Sequence, residues 1–194
     1  MNDKIKYPVV AQGMYDPAYE HDACGMGFIA DIKGRKSRAI IDKGLEIQRN
    51  LEHRGAVGAD PLTGDGAGVL IQMPHDFMKK AAAEVNINLP EEGRYAVGVM
   101  FLPQNPAQRN TAENIIEKII IDEEQAFLGW RDVPVDVDVP GESAKLTQPF
   151  IRHCFIGANK KIKNQDEFER KLYFIRRVID QRVRKQLKCS RKYN

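Results

Sequence analysis

The segment His21-Asp22-Ala23-Cys24-Gly25-Met26-Gly27-Phe28-Ile29-Ala30 constrains this chain more than any other. A cysteine stands at the head of an apolar run, and two glycines follow within three residues. Residues 24–31 read as a strand. Residues 1–23 carry no apolar period and are broken by Pro8, Gly13 and Pro17, so they read as an extended, removable leader. Cutting before Cys24 would create a nucleophile that carries its own base. A free α-amino group titrates at about 7.7–8 and lies within reach of the thiol on the same residue. While the leader is attached, that nitrogen is an amide and accepts no proton. The competing reading of Cys24 is a small buried residue in a core strand, since cysteine is among the most buried residue types. Gly25 and Gly27 would let substrate or backbone approach closely.

Downstream, Ser37 is placed to cap a helix from Arg38 to Glu52, with Ile40, Ile41, Leu45 and Leu51 on its apolar face. From His53 to Gly68 the chain holds five glycines in sixteen residues, together with Asp60-Pro61, which is a loop signature. The apolar run Gly68 to Met73 reads as a core strand. A helix is expected from Pro74 to Glu84, a strand over 95–102, and a helix from Pro106 to Ala126. The alternation of Val133, Val135, Val137 and Val139 predicts a half-buried strand from Trp130 to Val139. A strand over 150–157 and a helix from Gln165 to Leu187 follow, the helix turning Phe168, Leu172, Ile175, Val178, Ile179 and Val183 inward. Strands and helices mix without strict βαβ alternation, which predicts layered α+β structure. The last ten residues, KQLKCSRKYN, are basic and polar and show no capping or turn logic.

At 194 residues the chain suits one domain with a real core. A net charge of +3 is too small to argue for nucleic acid. The basic run Arg176, Arg177, Arg182, Arg184 and Lys185 reads as the solvated face of the last helix, without interleaved aromatics to stack bases. No apolar run approaches the ~20 residues that span a bilayer, and no signal-peptide pattern is present. Three cysteines, at 24, 154 and 189, form no disulfide framework or metal motif, so a reducing cytoplasm is expected. Cys154 reads as structural. Its neighbour His153 should point to the opposite face of a strand, so the two form no dyad. His21 and His75 lack partners at metal-ligand spacing. His53-Arg54-Gly55 has two readings. One is a basic helix terminus before a loop. The other is a loop that brings Arg54 near Cys24 to grip a carboxylate in a bidentate way. The glycines of Thr63 to Gly68 match neither a P-loop nor a dinucleotide fingerprint.

The stretches YDPAYEHDACGMGFIADIKG and GLEIQRNLEHRGAVGADPLTGDGAGVLIQMPHDF closely resemble the N-terminus of the glutamate synthase large (α) subunit family, its class II glutamine amidotransferase domain. The likeness runs from Tyr15 to Arg184 and includes FLP at Phe101 and the FERKLYFIRRVI helix. It implies an N-terminal-nucleophile αββα sandwich, here incomplete at its C-terminal end. It divides the chain into a leader (1–23), a partial amidotransferase domain (24–184) and an atypical tail (185–194). Cys24 would attack the glutamine side-chain amide, releasing ammonia and leaving a thioester that water converts to glutamate. The resemblance further implies ammonia transfer to 2-oxoglutarate on an FMN-bearing barrel, with electrons from an iron–sulfur cluster. Neither group is expected in this segment. Implied partners are glutamine, the other domains of the large subunit and a small subunit, with no nucleic acid and no membrane. The family's later arginine, its Asn-Gly oxyanion hole and its substrate-binding aspartate have no counterpart here, so the chain is expected to be inactive alone. The alternatives are another class II amidotransferase, which shares the cysteine and HRG but not the DPLTGDGAG stretch, and a non-catalytic interaction module.

Overall fold

The computed structural model describes Gly13 and residues 25–54, 60, 62–64 and 66–187. The chain divides into two compact units, Met1–Gln72 and Met73–Asn194.

The second unit is built on three antiparallel strands: β1 (Tyr95–Leu102), β2 (Ala126–Asp132) and β3 (Phe150–Gly157). Their order is β1-β3-β2, so β3 is hydrogen-bonded along both edges. The ladders pair Tyr95 with Gly157 and Leu102 with Phe150 on one side, and Ala126 with Gly157 and Asp132 with Arg152 on the other. Both faces of β3 can be covered, which is why FIRHCFIG buries its last five residues, His153 among them.

Side chains alternate between the two faces. Cys154 and Ile156 lie with Leu102, Ala112, Ile116, Ile119, Ile120 and Ile175 in one core cluster, beneath helices α3 (Pro106–Asp122) and α5 (Gln165–Gln186). Each isoleucine fully buried there contributes roughly 1.5–3 kcal/mol. On the other face Phe155 packs with Tyr95, Ile87 and Ala82, the last from helix α2 (His75–Ala83). A polar girdle ties sheet to helix on the α3 side. Arg152 pairs with Glu113 at 2.8 Å and with Asp132 at 2.6 Å, its guanidinium lies 5.4 Å from the Trp130 ring, and Trp130 Nε1 donates to Glu117 at 2.7 Å.

The helix starts follow the sequence. Asn105 and Asn164 cap α3 and α5 by accepting from the backbone N–H of Gln108 and Glu167, with Pro106 at the first helical position. α3 stops four residues short of the expected Ala126. Glu124 takes a left-handed conformation (φ 58°), and Gln125 and Glu124 donate to the carbonyls of Ile120 and Ile121. That is a Schellman closure with glutamate where glycine is usual. A short helix α4 (Glu142–Lys145) precedes β3.

The strand expected over 130–139 is displaced to Ala126–Asp132. Ladder partners run out. Val133 still donates to Ile151, but β3 begins at Phe150, so Val135, Val137 and Val139 have nothing to pair with and stand exposed. The register slips between Phe127 and Gly129, where Gly129 adopts φ 143° and a Cβ would lie 2.7 Å from Ile87 Cδ1. The basic run on α5 is solvated as expected, with Arg176, Arg177, Arg182, Arg184 and Lys185 exposed; Tyr173 and Phe174, just ahead of it, are exposed as well.

In the first unit, Ser37 caps α1 (Arg38–Asn50) as expected, and a 3₁₀ turn at Glu52–Arg54 follows. Neither apolar run predicted as a strand forms one. The described part of 24–31 and residues 68–73 are irregular, and no described residue of this unit is buried. Met26 and Leu70 are almost wholly exposed. A strand persists only as part of a ladder, and these runs have no partner strand among the described residues.

His153 is buried in the middle of the sheet, edge-on to Phe155, with Nδ1 lacking a hydrogen-bond partner among the described residues. Burial, and then the nearby Arg131 charge, push its pKa below the ordinary histidine value. The unfolded chain therefore binds a proton below about pH 6.5 that the folded chain resists, and stability falls as pH drops through that range. His153→Leu is expected to flatten the dependence between pH 7 and pH 5, read from urea midpoints. An unchanged slope would contradict the assignment.

Candidate active site

Cys24 lies outside the described residues. The segment that follows it is placed by a glycine. Gly25–Ala30 has no regular structure, yet a Cβ on Gly27 would sit 2.5 Å from Ile47 Cγ2 on α1. That atom is on a β-branched side chain close to its own backbone, so it has little room to yield. Of the two uses expected for Gly27, the structure shows close approach of backbone to helix.

The next residues form a tight turn. Asp31 accepts from the backbone N–H of Lys33 at 2.8 Å and pairs with the Arg35 guanidinium at 2.9 Å, while Gly34 takes φ 68°. The Arg35 side chain holds the Asp31 carboxyl below its ordinary pKa; desolvation opposes it, and the backbone donors of Lys33 and Arg35 add to the lowering. The turn delivers the chain to Ser37 and α1. An open depression of about 240 Å³, lined by Ile29, Asp31, Ser37, Ile40 and Lys43 among others, lies at this junction.

Arg54 is the last residue of the 3₁₀ turn after α1, so its backbone is fixed by the helix end. Its side chain lies outside the described residues. The loop it opens is held at several points. Asp60 accepts from Leu62 N at 3.1 Å and from the Thr63 hydroxyl at 3.0 Å, and Thr63 N donates to the Asp60 carbonyl at 3.0 Å. This is an aspartate-closed turn, the physical content of the DPLT motif. At the loop's far end Gln48 Nε2 donates to the Gly68 carbonyl at 2.6 Å, and Val69 reaches the position a Cβ on Gly44 would occupy at 4.0 Å. The segment after Cys24 and the end of the loop that begins at Arg54 are thus both moored to α1, at Ile47 and Gln48.

The sequence reading missed Gln48 altogether, because a lone glutamine on a helix carries no signal. It treated Asp60 only as part of a loop signature, although Asp-Pro followed by a hydroxyl two residues on points to such a turn.

The other candidates separate cleanly. Cys154 is buried on the α3–α5 face, and its thiol is pushed up to about 12, mainly by burial and further by the Glu117 charge. It is inert at neutral pH, as the structural reading expected. His75 Nδ1 lies 3.1 Å from the Tyr95 hydroxyl. His21 and Cys189 fall outside the described residues. Among the described residues no three His, Cys, Asp or Glu side chains are grouped to hold a metal ion, and no helix is long and apolar enough to cross a membrane.

Residues 24–194 match the family model for class-II glutamine amidotransferases, and the chain belongs to that family. It is 48% identical over 170 residues to the glutamate synthase (NADPH) large chain of Bacillus subtilis, a match covering 88% of this chain and 11% of that protein. It is 41% identical over 171 residues to the corresponding chain of Azospirillum brasilense, with the same coverage of 88% and 11%. Against glutamate synthase (NADH) of Saccharomyces cerevisiae the identity is 39% over 177 residues, covering 86% of this chain and 8% of the other. The chain spans about a tenth of the length of the curated relatives it matches.

Gly27→Ala is expected to lower stability by about 1–3 kcal/mol, the usual cost of forcing a methyl into a packed contact. Chemical denaturation with a probe in the first unit measures it. Ile47→Ala in the same background should recover part of the loss, and no loss in the single variant would remove Gly27 from the contact.

Proposed function

We propose that this chain is the glutamine-splitting domain of a glutamate synthase, with Cys24 as nucleophile once residues 1–23 are removed. The observation that carries the reading is the convergence of the post-cysteine segment and the end of the glycine-rich loop on one helix, α1, at Ile47 and Gln48. The family match that starts at residue 24 supports the leader boundary.

In this mechanism the Cys24 sulfur attacks the glutamine carboxamide carbon while its proton passes to the residue's own α-amine. The amine returns a proton to the leaving nitrogen, the carbon–nitrogen bond breaks and ammonia departs. Water then adds to the γ-glutamyl thioester, giving glutamate and the free thiol. Arg54 binds the α-carboxylate of glutamine through its planar guanidinium. Residues 24–184 form the amidotransferase domain and 185–194 a distinct tail.

The proposed architecture is the αββα sandwich, with the observed sheet as one of its two. Helices α3 and α5 cover one face of that sheet. On the opposite face Val99 and Phe101 stand exposed, which suits a second sheet. In the longer proteins the ammonia would aminate 2-oxoglutarate, with FMN and an iron–sulfur cluster supplying the reducing chemistry. Neither group is assigned to this segment. Its remaining partners would be the other large-chain domains and a small subunit, in the cytoplasm.

The test is labelling of the full chain, with and without its first 23 residues, by an electrophilic glutamine analogue, followed by peptide mass mapping. Adduct is expected on Cys24 alone, only in the trimmed form, and its rate should rise with pH through about 8 as the amine loses its proton. Label on Cys154, or equal labelling with the leader attached, overturns the reading. Arg54→Ala should weaken protection by glutamine roughly ten- to hundredfold, the size of a lost charge-assisted pair. Unchanged protection would remove Arg54 from the site.

A further inference from the structure

Two exposed surfaces of the second unit have opposite charge and matching apolar content. The first is the outer stripe of α5. Arg170, Tyr173, Phe174, Arg177 and Arg184 recur at helical spacing and all are exposed. Tyr173 is 61% and Phe174 51% exposed, and the Arg176 guanidinium lies over the Tyr173 ring at 5.5 Å. From Arg170 to Lys185 the helix carries seven basic residues and one acidic residue, Asp180. Lys171 is taken up by Glu123 and Arg184 by Asp180. Arg170, Arg177 and Arg182 make no ion pair among the described residues.

The second surface is the stretch after β2, where the valines lose their ladder. Val135, Val137 and Val139 are 45%, 52% and 66% exposed, and Asp136 and Asp138 alternate with them. Asp136 accepts from the backbone N–H of Asp138 at 3.1 Å, which bends the segment, and neither carboxylate has a cationic partner among the described residues. Three half-exposed valines on a polar, irregular segment gain nothing from water. Two exposed aromatics on a basic helix are the composition found at the centre of protein interfaces.

We propose that these surfaces dock on each other between two copies of this chain. Asp136 and Asp138 of one copy meet Arg170 and Arg177 of the other, and the valines cover Tyr173 and Phe174. A reciprocal exchange, in which each copy offers both surfaces to the other, closes at two, whereas a one-way exchange would leave a free surface at each end and grow openly. Contacts of this kind are screened, since the Debye length falls from about 10 Å at 0.1 M salt to about 3 Å at 1 M.

The test is the mass of the full chain by light scattering during size exclusion, at low and high salt. The expected result is twice the chain mass at low salt, falling toward the single-chain mass at 1 M. A single-chain mass at every concentration and salt, open growth beyond two, or doubling that salt leaves untouched overturns the proposal. So does an equimolar nucleic-acid complex in place of a second copy. A charge swap tests the surfaces themselves. Arg170→Glu with Arg177→Glu, and separately Asp136→Lys with Asp138→Lys, should each give single chains with unchanged circular dichroism. Mixed in equal amounts they should form a heterodimer, because both contacts then pair opposite charges again. Failure of the mixture to associate contradicts the proposal, and if a variant does not fold, the salt-dependent mass of the unaltered chain still decides it.

Discussion

The double ladder on β3 is the constraint on which the second unit depends. A strand bonded along both edges has no free amide row to hydrate, so its faces can be apolar on both sides. That allows α3 and α5 to pack on Cys154 and Ile156, and Tyr95, Ile87 and Ala82 to pack on Phe155. It also decides the chemistry of the residues it holds. Cys154 becomes a small apolar filler with a thiol too basic to react, and His153 is kept neutral by burial next to Arg131. The same ladder sets the limit of β2, because pairing ends where β3 begins and the valines beyond it are left exposed.

The first unit is organised differently. It has no buried residue among those described, and its order comes from one helix. Gly27 brings the post-cysteine segment onto Ile47, and Gln48 closes the glycine-rich loop onto its neighbour in sequence. A reactive terminal residue needs a fixed approach to substrate, and effective catalysis is lost with small displacements. The contact at Gly27 lies three residues past Cys24. The Asp31–Arg35 turn and the Asp60–Thr63 turn, each closed by an aspartate, lie on either side of α1 in the sequence.

What the sequence disclosed followed the strength of local signals. Ser37 marked the start of one helix, the apolar periods beginning at Pro106 and Gln165 marked two more, and the stretch from Phe150 to Gly157 marked the central strand. The errors lie where long-range pairing decides. Trp130 to Val139 alternates like a strand, but alternation says nothing about where a partner ends. Glu124 terminates α3 in a conformation that glycine usually signals, so the boundary was invisible. The runs at 24–31 and 68–73 had strand composition without a ladder to join. For the site, the motifs around Cys24 and Arg54 were legible through resemblance, whereas the contacts that moor them, Gly27 on Ile47 and Gln48 on Gly68, depend on a helix face that spacing alone does not reveal.

The central claim is that the sulfur of residue 24 forms a covalent bond to the γ-carbon of glutamine using the nitrogen of the same residue as base. Its most direct test is an acid quench of the trimmed domain, carried in a longer protein that supplies the oxyanion hole this chain is expected to lack, mixed with glutamine and followed by intact mass and peptide mapping. The account predicts a γ-glutamyl thioester on the peptide that begins at Cys24, discharged by hydroxylamine and absent from chain whose α-amine has been acetylated. A thioester formed equally well on the acetylated chain, or located on any other residue, would contradict it.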